Sequence, residues 1–246
     1  MSYDLIGIRV QQPTGPEAAP EPSRARRMAA RAGKVVLALL VGYYVLCVVL
    51  LVIYRFANPP ITGVQLERRI EAMLSDDDYR MRKRVVSYER LPRHVPRAVM
   101  AAEDGRFLTH WGFDLKEMRH AGSAVFDGEM PRGASTITQQ LMKNLFGCTC
   151  RNPVRKVYDF ALTPPAELIL GKQRILELYL NNVEWGRGIF GIEAAARHHY
   201  GTSARRLSRA QAAGLAALLP NPRKRTPDNT PEYRGEILRR MAHRGW

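Results

Sequence analysis

The chain carries one uninterrupted apolar run and then settles into helical periodicity. The run VVLALLVGYYVLCVVLLVIY, Val35 to Tyr54, holds twenty residues without a charge, about the number a helix needs to cross a hydrocarbon core of roughly 30 Å. It predicts a transmembrane helix over 35–54. Beyond it, apolar residues recur at intervals of three and four through ITGVQLERRIEAML, HVPRAVMAAEDGRFL, STITQQLMKNLF, RILELYLNNV and RAQAAGLAALL, the spacing of one buried helix face. No convincing alternating strand series accompanies them. Asn58-Pro59-Pro60, Asp127-Gly128, Asn152-Pro153 and Asn221-Pro222 punctuate the helices, and no segment repeats. The pattern predicts an all-α domain around a single core. The helices nearest the anchor either lie against a bilayer surface or simply cover that core. Tyr233 to Trp246 is either a final helix or a frayed tail.

Residues 1–34, with Pro13, Pro16, Pro20 and Pro22 and no apolar period, have the composition of a disordered tail. Arg24, Arg26, Arg27, Arg31 and Lys34 precede the apolar run, and only Arg55 follows closely. That bias places the tail in the cytoplasm and the rest of the chain outside. A cleaved signal peptide would have a shorter apolar region, about 7–15 residues, ending in small residues; RFANPP does not fit.

Charge sharpens the picture. After Arg55 there are 31 Lys and Arg against 20 Asp and Glu, so the outer part is basic and suits an anionic partner. A generally basic solvated surface accounts for much of this charge. For a domain tethered outside the membrane, lipid phosphates and diphosphates are nearer candidates than nucleic acid. Cys47 lies in the apolar run, and Cys148 and Cys150 are separated by Thr149 alone. Free thiols or partners elsewhere are at least as consistent with that spacing as a mutual disulfide, and there is no metal-binding cysteine framework.

Three segments carry candidate chemistry. Glu103 follows VMAA, and a carboxylate among apolar helix neighbours has a raised pKa, as a general base needs. The alternative is a capping carboxylate, a role that suits Asp104 better; His110 suits a loop pin. In GASTITQQLMKN, Gly133 permits a close approach, and Thr136 with Gln139 has capping-box spacing. A helix therefore begins there, and its amide end together with Lys143, on one face with Gln139 and Gln140, is a candidate anion site; a plain capped helix explains the segment equally well. In RNPVRKVYD, Asn152 suits a cap, Pro153 the first turn, and Arg155 faces Asp159 four residues on. Arg155 and Lys156 are candidates to clamp a diphosphate, with Asp159 orienting them or holding a divalent ion. An ordinary surface ion pair is the simpler alternative.

In order along the chain, these segments resemble the motifs of the peptidoglycan glycosyltransferases, glycosyltransferase family 51. The first, EDxxFxxHxG, is matched from Glu103 to Gly112, and the second, GxSTxTQQxxKN, from Gly133 to Asn144. RKxxE is matched by Arg155 and Lys156, with Asp159 in place of the glutamate. KxxILExYLN is matched by Lys172, Ile175, Leu176, Glu177, Tyr179, Leu180 and Asn181. Asn181 to Gly201 looks like the monofunctional branch, and no transpeptidase segment follows. The resemblance covers roughly residues 60–225, leaving 226–246 as a tail or helix.

The resemblance implies a two-lobed, lysozyme-like, mainly helical domain on the outer face of the inner membrane. It implies polymerisation of lipid II into β-1,4 glycan, with Glu103 as general base and Asp159 in the second acidic position. Ser135 and Gln140 would line the cleft, and Lys143, Arg155 and Lys156 would bind the diphosphate. No cofactor is required, with Mg2+ or Mn2+ optional. Partners would be lipid II, the lipid-linked glycan, the membrane, and cell-wall synthases or division proteins. Pro164 and Pro165 are expected to interrupt a helix. With Asp159 one methylene short, a weakened, lipid II-binding scaffold is the competing function; a glycan hydrolase explains neither the cations nor the anchor.

Overall fold

The computed structural model describes residues 24–75, 78–126, 135–150 and 152–246. The turn expected at Asp127-Gly128, Gly133 and the first 23 residues of the tail lie outside the described residues. Two compact units divide at Gly42 and Tyr43. Helix α1 spans Arg24–Phe56, so residues 24–34 are helical rather than disordered. Its basic start, including Arg24, Arg26 and Arg31, is exposed. By length and composition α1 is a candidate membrane span. From Tyr43 onward one stripe of it is not free for lipid: Cys47 and Leu51 are fully buried, and Tyr44, Val48 and Tyr54 pack on the same core. These positions follow the i, i+3, i+4, i+7 rule of a single helix face.

The second unit is helical. In chain order follow α2 (Gly63–Leu74), α3 (His94–Glu103), α4 (Leu115–Phe126), α5 (Ile137–Phe146), α6 (Pro153–Asn182), α7 (Ile192–Tyr200), α8 (Arg209–Ala216) and α9 (Pro231–His243). Local signals set their ends. Thr62 caps α2, Asn152 accepts from Val154 N at 2.8 Å to cap α6 with Pro153 in the first turn, and Ser208 with Gln211 forms a capping box on α8. The helix expected to continue to Leu108 stops at Glu103, because Asp104 leaves helical geometry (φ −158°, ψ 77°) and residues 105–109 turn back.

Pro164 and Pro165 do not interrupt α6. They remove two amide donors, and one carbonyl left without its usual partner, Ala161 O, accepts from Tyr44 Oη of α1 at 3.3 Å. The break comes instead at Gly171, whose φ of 71° and ψ of 164° divide α6 into two helical segments. A residue with a Cβ is strained at that φ.

A small sheet is set among the helices. β1 (Arg82–Lys83) pairs parallel with β3 (Ile189–Phe190), which pairs antiparallel with β2 (Glu184–Gly186) across a bulge. Strands of two or three residues are too short to print an alternation. Asn181 ties the sheet region to α6: its Oδ1 accepts from Val86 N and its Nδ2 donates to Val86 O, both at 2.9 Å. The core runs beneath these elements through Val99, Ile137, Leu141, Leu178, Trp185 and Leu215. Tyr233 to Trp246 takes the helical form: α9 buries Ile237 and Met241 against α3 and α8. Cys148 and Cys150, whose pairing the spacing leaves open, are bonded to each other.

Candidate active site

Glu103 is the last residue of α3, at the edge of a cleft of about 1150 Å³. The structure brings all the predicted site residues to this cleft: Glu103, Ser135, Gln140, Lys143, Arg155, Lys156 and Asp159 line it. Ser135 and Lys156 are exposed at its rim. Burial pushes the Glu103 carboxyl above the ordinary carboxylate range, while the hydrogen bond from Gln140 and the charges of Lys143 and Arg225 pull the other way. Gln140 Nε2 donates to Glu103 Oε2 at 2.8 Å, and Tyr179 Oη donates to Gln140 Oε1 at 2.8 Å.

Asp104 and His110 make the frame. Asp104 Oδ2 accepts from Ile137 N at 3.0 Å, and His110 Nε2 contacts Asp104 Oδ1 at 2.9 Å. The carboxylate that ends α3 thus caps α5 and anchors the loop between them. Gly112 allows that loop to lie on α6; at its φ of +82° a Cβ would come within 2.3 Å of Thr163 Cγ2. Thr136 and Gln139 form the expected capping box, and Thr136 Oγ1 donates to Gly112 O at 2.7 Å. Two amides at the start of α5 are therefore already occupied: Asp104 holds Ile137 N and Thr136 holds Gln139 N. The described carboxylates and imidazole that come together as metal donors are Asp104, His110 and Asp114. Arg106 and backbone amides already engage Asp114. Asp159 is not in this group.

Across the cleft α6 carries the cations. Arg155 Nη1 donates to Asp159 Oδ2 at 2.8 Å, and Arg155 Nε is buried with no hydrogen-bond partner in the described protein. Burial raises the Asp159 carboxyl to about 6 against the pull of Arg155 and Lys143. Burial and then the Arg155 charge lower Lys143, which interacts with both Asp159 and Glu103. The charge of Lys143 is thus felt by both carboxylates. A second cavity of about 340 Å³ shares Arg155 and Asp159 with the cleft and is walled by Tyr43, Phe146, Tyr158 and Leu162.

Sequence reasoning missed the contribution of the C-terminal segment. Arg225 and Tyr233 line the cleft beside Glu103. Tyr233 Oη donates to Ala102 O and Arg240 Nη1 to Ala101 O, each at 3.1 Å, which satisfies the carbonyls of the last turn of α3. The apolar pair Ile237 and Met241, four apart, was the available signal.

The family model described as Transglycosylase matches residues 68–243, a span that includes α9. The biosynthetic peptidoglycan transglycosylase of Chromohalobacter salexigens is 45% identical over 196 residues, covering 79% of this chain and 83% of that one. Those of Ectopseudomonas mendocina (47% over 170 residues, 69% and 70% covered) and Stutzerimonas stutzeri (46% over 186 residues, 76% and 77% covered) are similarly near. With the cleft and its motif residues in place, the chain belongs to the transglycosylase family, among the biosynthetic peptidoglycan transglycosylases.

Proposed function

We propose that this protein polymerises lipid II by inverting glycosyl transfer. The carrying observation is the cleft that Glu103 shares with Lys143, Lys156 and the Arg155–Asp159 pair. A proton acceptor and a cationic seat thus share one cleft. In the reaction, Glu103 removes the proton from the 4-hydroxyl of the incoming lipid II sugar. That oxygen bonds to the anomeric carbon of the lipid-linked chain, from the face opposite the diphosphate. The bond from that carbon to the diphosphate oxygen breaks, and undecaprenyl diphosphate leaves with the electron pair. Lys143, Arg155 and Lys156 stabilise the charge on it, and Arg155 Nε has a donor to spare. Inversion gives the β-1,4 bond. Ser135 and Gln140 line the path of the sugars, and Gln140 also holds the base.

The apolar cavity beside Arg155 seats the first isoprene units of the lipid, next to the candidate membrane span. The basic start of α1 favours a cytoplasmic N-terminus and a periplasmic domain. No resident cofactor enters these steps; Mg2+ or Mn2+ arriving with the diphosphate would add positive charge beside Asp159. Cell-wall synthases or division proteins are the partners such an activity would serve.

The test is polymerisation of labelled lipid II by the detergent-solubilised chain, beside Glu103→Gln, with and without divalent metal. Long glycan from the wild type and none from the variant is the expected result. Bound lipid II with no polymer from either would favour a scaffold, a reading that Asp159 in the glutamate position keeps open.

A further inference from the structure

Tyr179 is a buried hydroxyl that the steps above do not use. It lies on the second segment of α6, with 1% of its surface exposed, and its side-chain hydroxyl points at Gln140. The order of contacts is Tyr179 Oη to Gln140 Oε1 at 2.8 Å, then Gln140 Nε2 to Glu103 Oε2 at 2.8 Å. A primary amide has an acceptor end and a donor end, and a phenol hydroxyl serves as either. Turned over, the Gln140 amide would still pair with Tyr179, by donating to it. It would then present Oε1 to Glu103, and two acceptors face each other unless the carboxyl is protonated. The amide orientation and the protonation state of Glu103 are therefore coupled.

We propose that Tyr179 is a positioning residue which, by donating to Gln140 Oε1, keeps the amide N–H aimed at Glu103 and holds that carboxylate in its ionised form. The inference rests on Glu103 being the base of the proposed reaction. Burial first, and then the Glu103 and Asp104 carboxylates, keep the Tyr179 hydroxyl protonated well above its ordinary range, so it remains a donor. The other groups facing Glu103 are Lys143 on α5, Arg225 after α8, Tyr233 on α9 and Asp104 at the end of its own helix. All of them persist when the Tyr179 hydroxyl is removed, so a change can be assigned to the relay.

The experiment uses the full chain in detergent with 13C at the glutamate Cδ, the Glu103 signal being the one lost in Glu103→Gln. In Tyr179→Phe the Glu103 titration midpoint moves upward. Lipid II polymerisation falls about tenfold on the acid limb and returns to within about twofold of wild type at alkaline pH, the loss of one hydrogen bond to a charged group. Gln140→Met moves the midpoint the same way, and adding Tyr179→Phe to it moves the midpoint no further, as two steps of one relay require. Gln140→Met also carries the test if Tyr179→Phe does not fold: an unmoved midpoint there overturns the proposal. So does an unmoved midpoint in Tyr179→Phe with a uniform rate loss at every pH, which would assign Tyr179 to packing alone. If the wild type makes no polymer, the lipid II reading fails while the titration still decides the relay.

Discussion

Arg155 Nη1 and Asp159 Oδ2 meet at 2.8 Å across one turn of α6, the two side chains 21% and 11% exposed. The pair stands where the resembled motif has Arg and Glu, and the shorter acid still reaches the cation. An exposed pair at this spacing contributes a few tenths of a kcal/mol, so the expected importance of this one lies in holding Arg155 toward the cleft. Asp159→Asn keeps the shape and removes the charge. It should lower kcat for lipid II polymerisation about tenfold or more while lipid II binding stays within a few fold. Asp159→Glu should stay within about threefold of wild type, because the ion pair already closes without the extra methylene. A rise of two orders of magnitude in Asp159→Glu, at unchanged binding, would mean that the natural chain is an impaired enzyme.

Two raised carboxyls give the pH dependence its sign. Burial raises Glu103 above the ordinary carboxylate range and Asp159 to about 6. A base works only when ionised, so activity is present above these values and is lost as pH falls through them. Lys143, lowered by burial and by Arg155, sheds its proton below the ordinary lysine range and sets an alkaline limb. The profile of kcat/KM against pH should be a bell whose acid side breaks above the ordinary carboxylate range, with Asp159 contributing its step near 6. A break near pH 4, where an unperturbed glutamate titrates, would contradict a buried base.

Much of this was legible because motif chemistry and capping chemistry are local. The Thr136–Gln139 box, the Asn152–Pro153 start and the Arg155–Asp159 spacing are each decided within four residues, and the structure has all three. What failed was decided by distant partners. Pro164 and Pro165 read as a break, yet Tyr44, 117 positions away from Ala161, takes up a freed carbonyl. The apolar run read as a transmembrane helix with no face distinguished, yet Cys47 and Leu51 belong to the protein core. Strand β1 forms only by pairing Arg82 with Ile189, a separation that no window on the sequence contains. Tyr179 read as one motif position among seven; its contact with Gln140 exists only after α5 and α6 pack.

The last helix should matter to both stability and catalysis. Tyr233→Phe and Arg240→Met each strip a donor from a carbonyl in the last turn of α3, Ala102 O and Ala101 O. An unpartnered, partly buried carbonyl costs about 1–3 kcal/mol, which for a domain of this size lowers Tm by roughly 2–4 °C per kcal/mol. The same carbonyls immediately precede Glu103, so kcat should fall more than KM rises. Thermal melts beside steady-state kinetics check both parts. Wild-type Tm in both variants would show that α9 does not brace α3.

Lys83 supplies a stability test away from the cleft. Its Nζ donates to Pro59 O at 2.8 Å and to Gln65 Oε1 at 3.3 Å, both uncharged acceptors, and burial lowers its pKa from 10.5 to about 8. The folded protein thus gives up this proton more easily than the unfolded chain. Below about 8 both states carry it and the fold bears the cost of a half-buried ammonium. Between about 8 and 10.5 the unfolded chain binds more protons than the native one, so this site's contribution to stability becomes more favourable as pH rises, with a limiting slope of about 1.4 kcal/mol per pH unit. Lys83→Met removes that slope. It also removes the partner of Pro59 O, so its absolute stability at pH 7 reflects two opposing effects and the difference in slope is the cleaner quantity. Denaturant unfolding of both proteins from pH 7 to 10 should show wild type gaining on Lys83→Met as pH rises above 8; parallel curves over that interval would mean that Lys83 is as well solvated in the folded protein as in the unfolded chain.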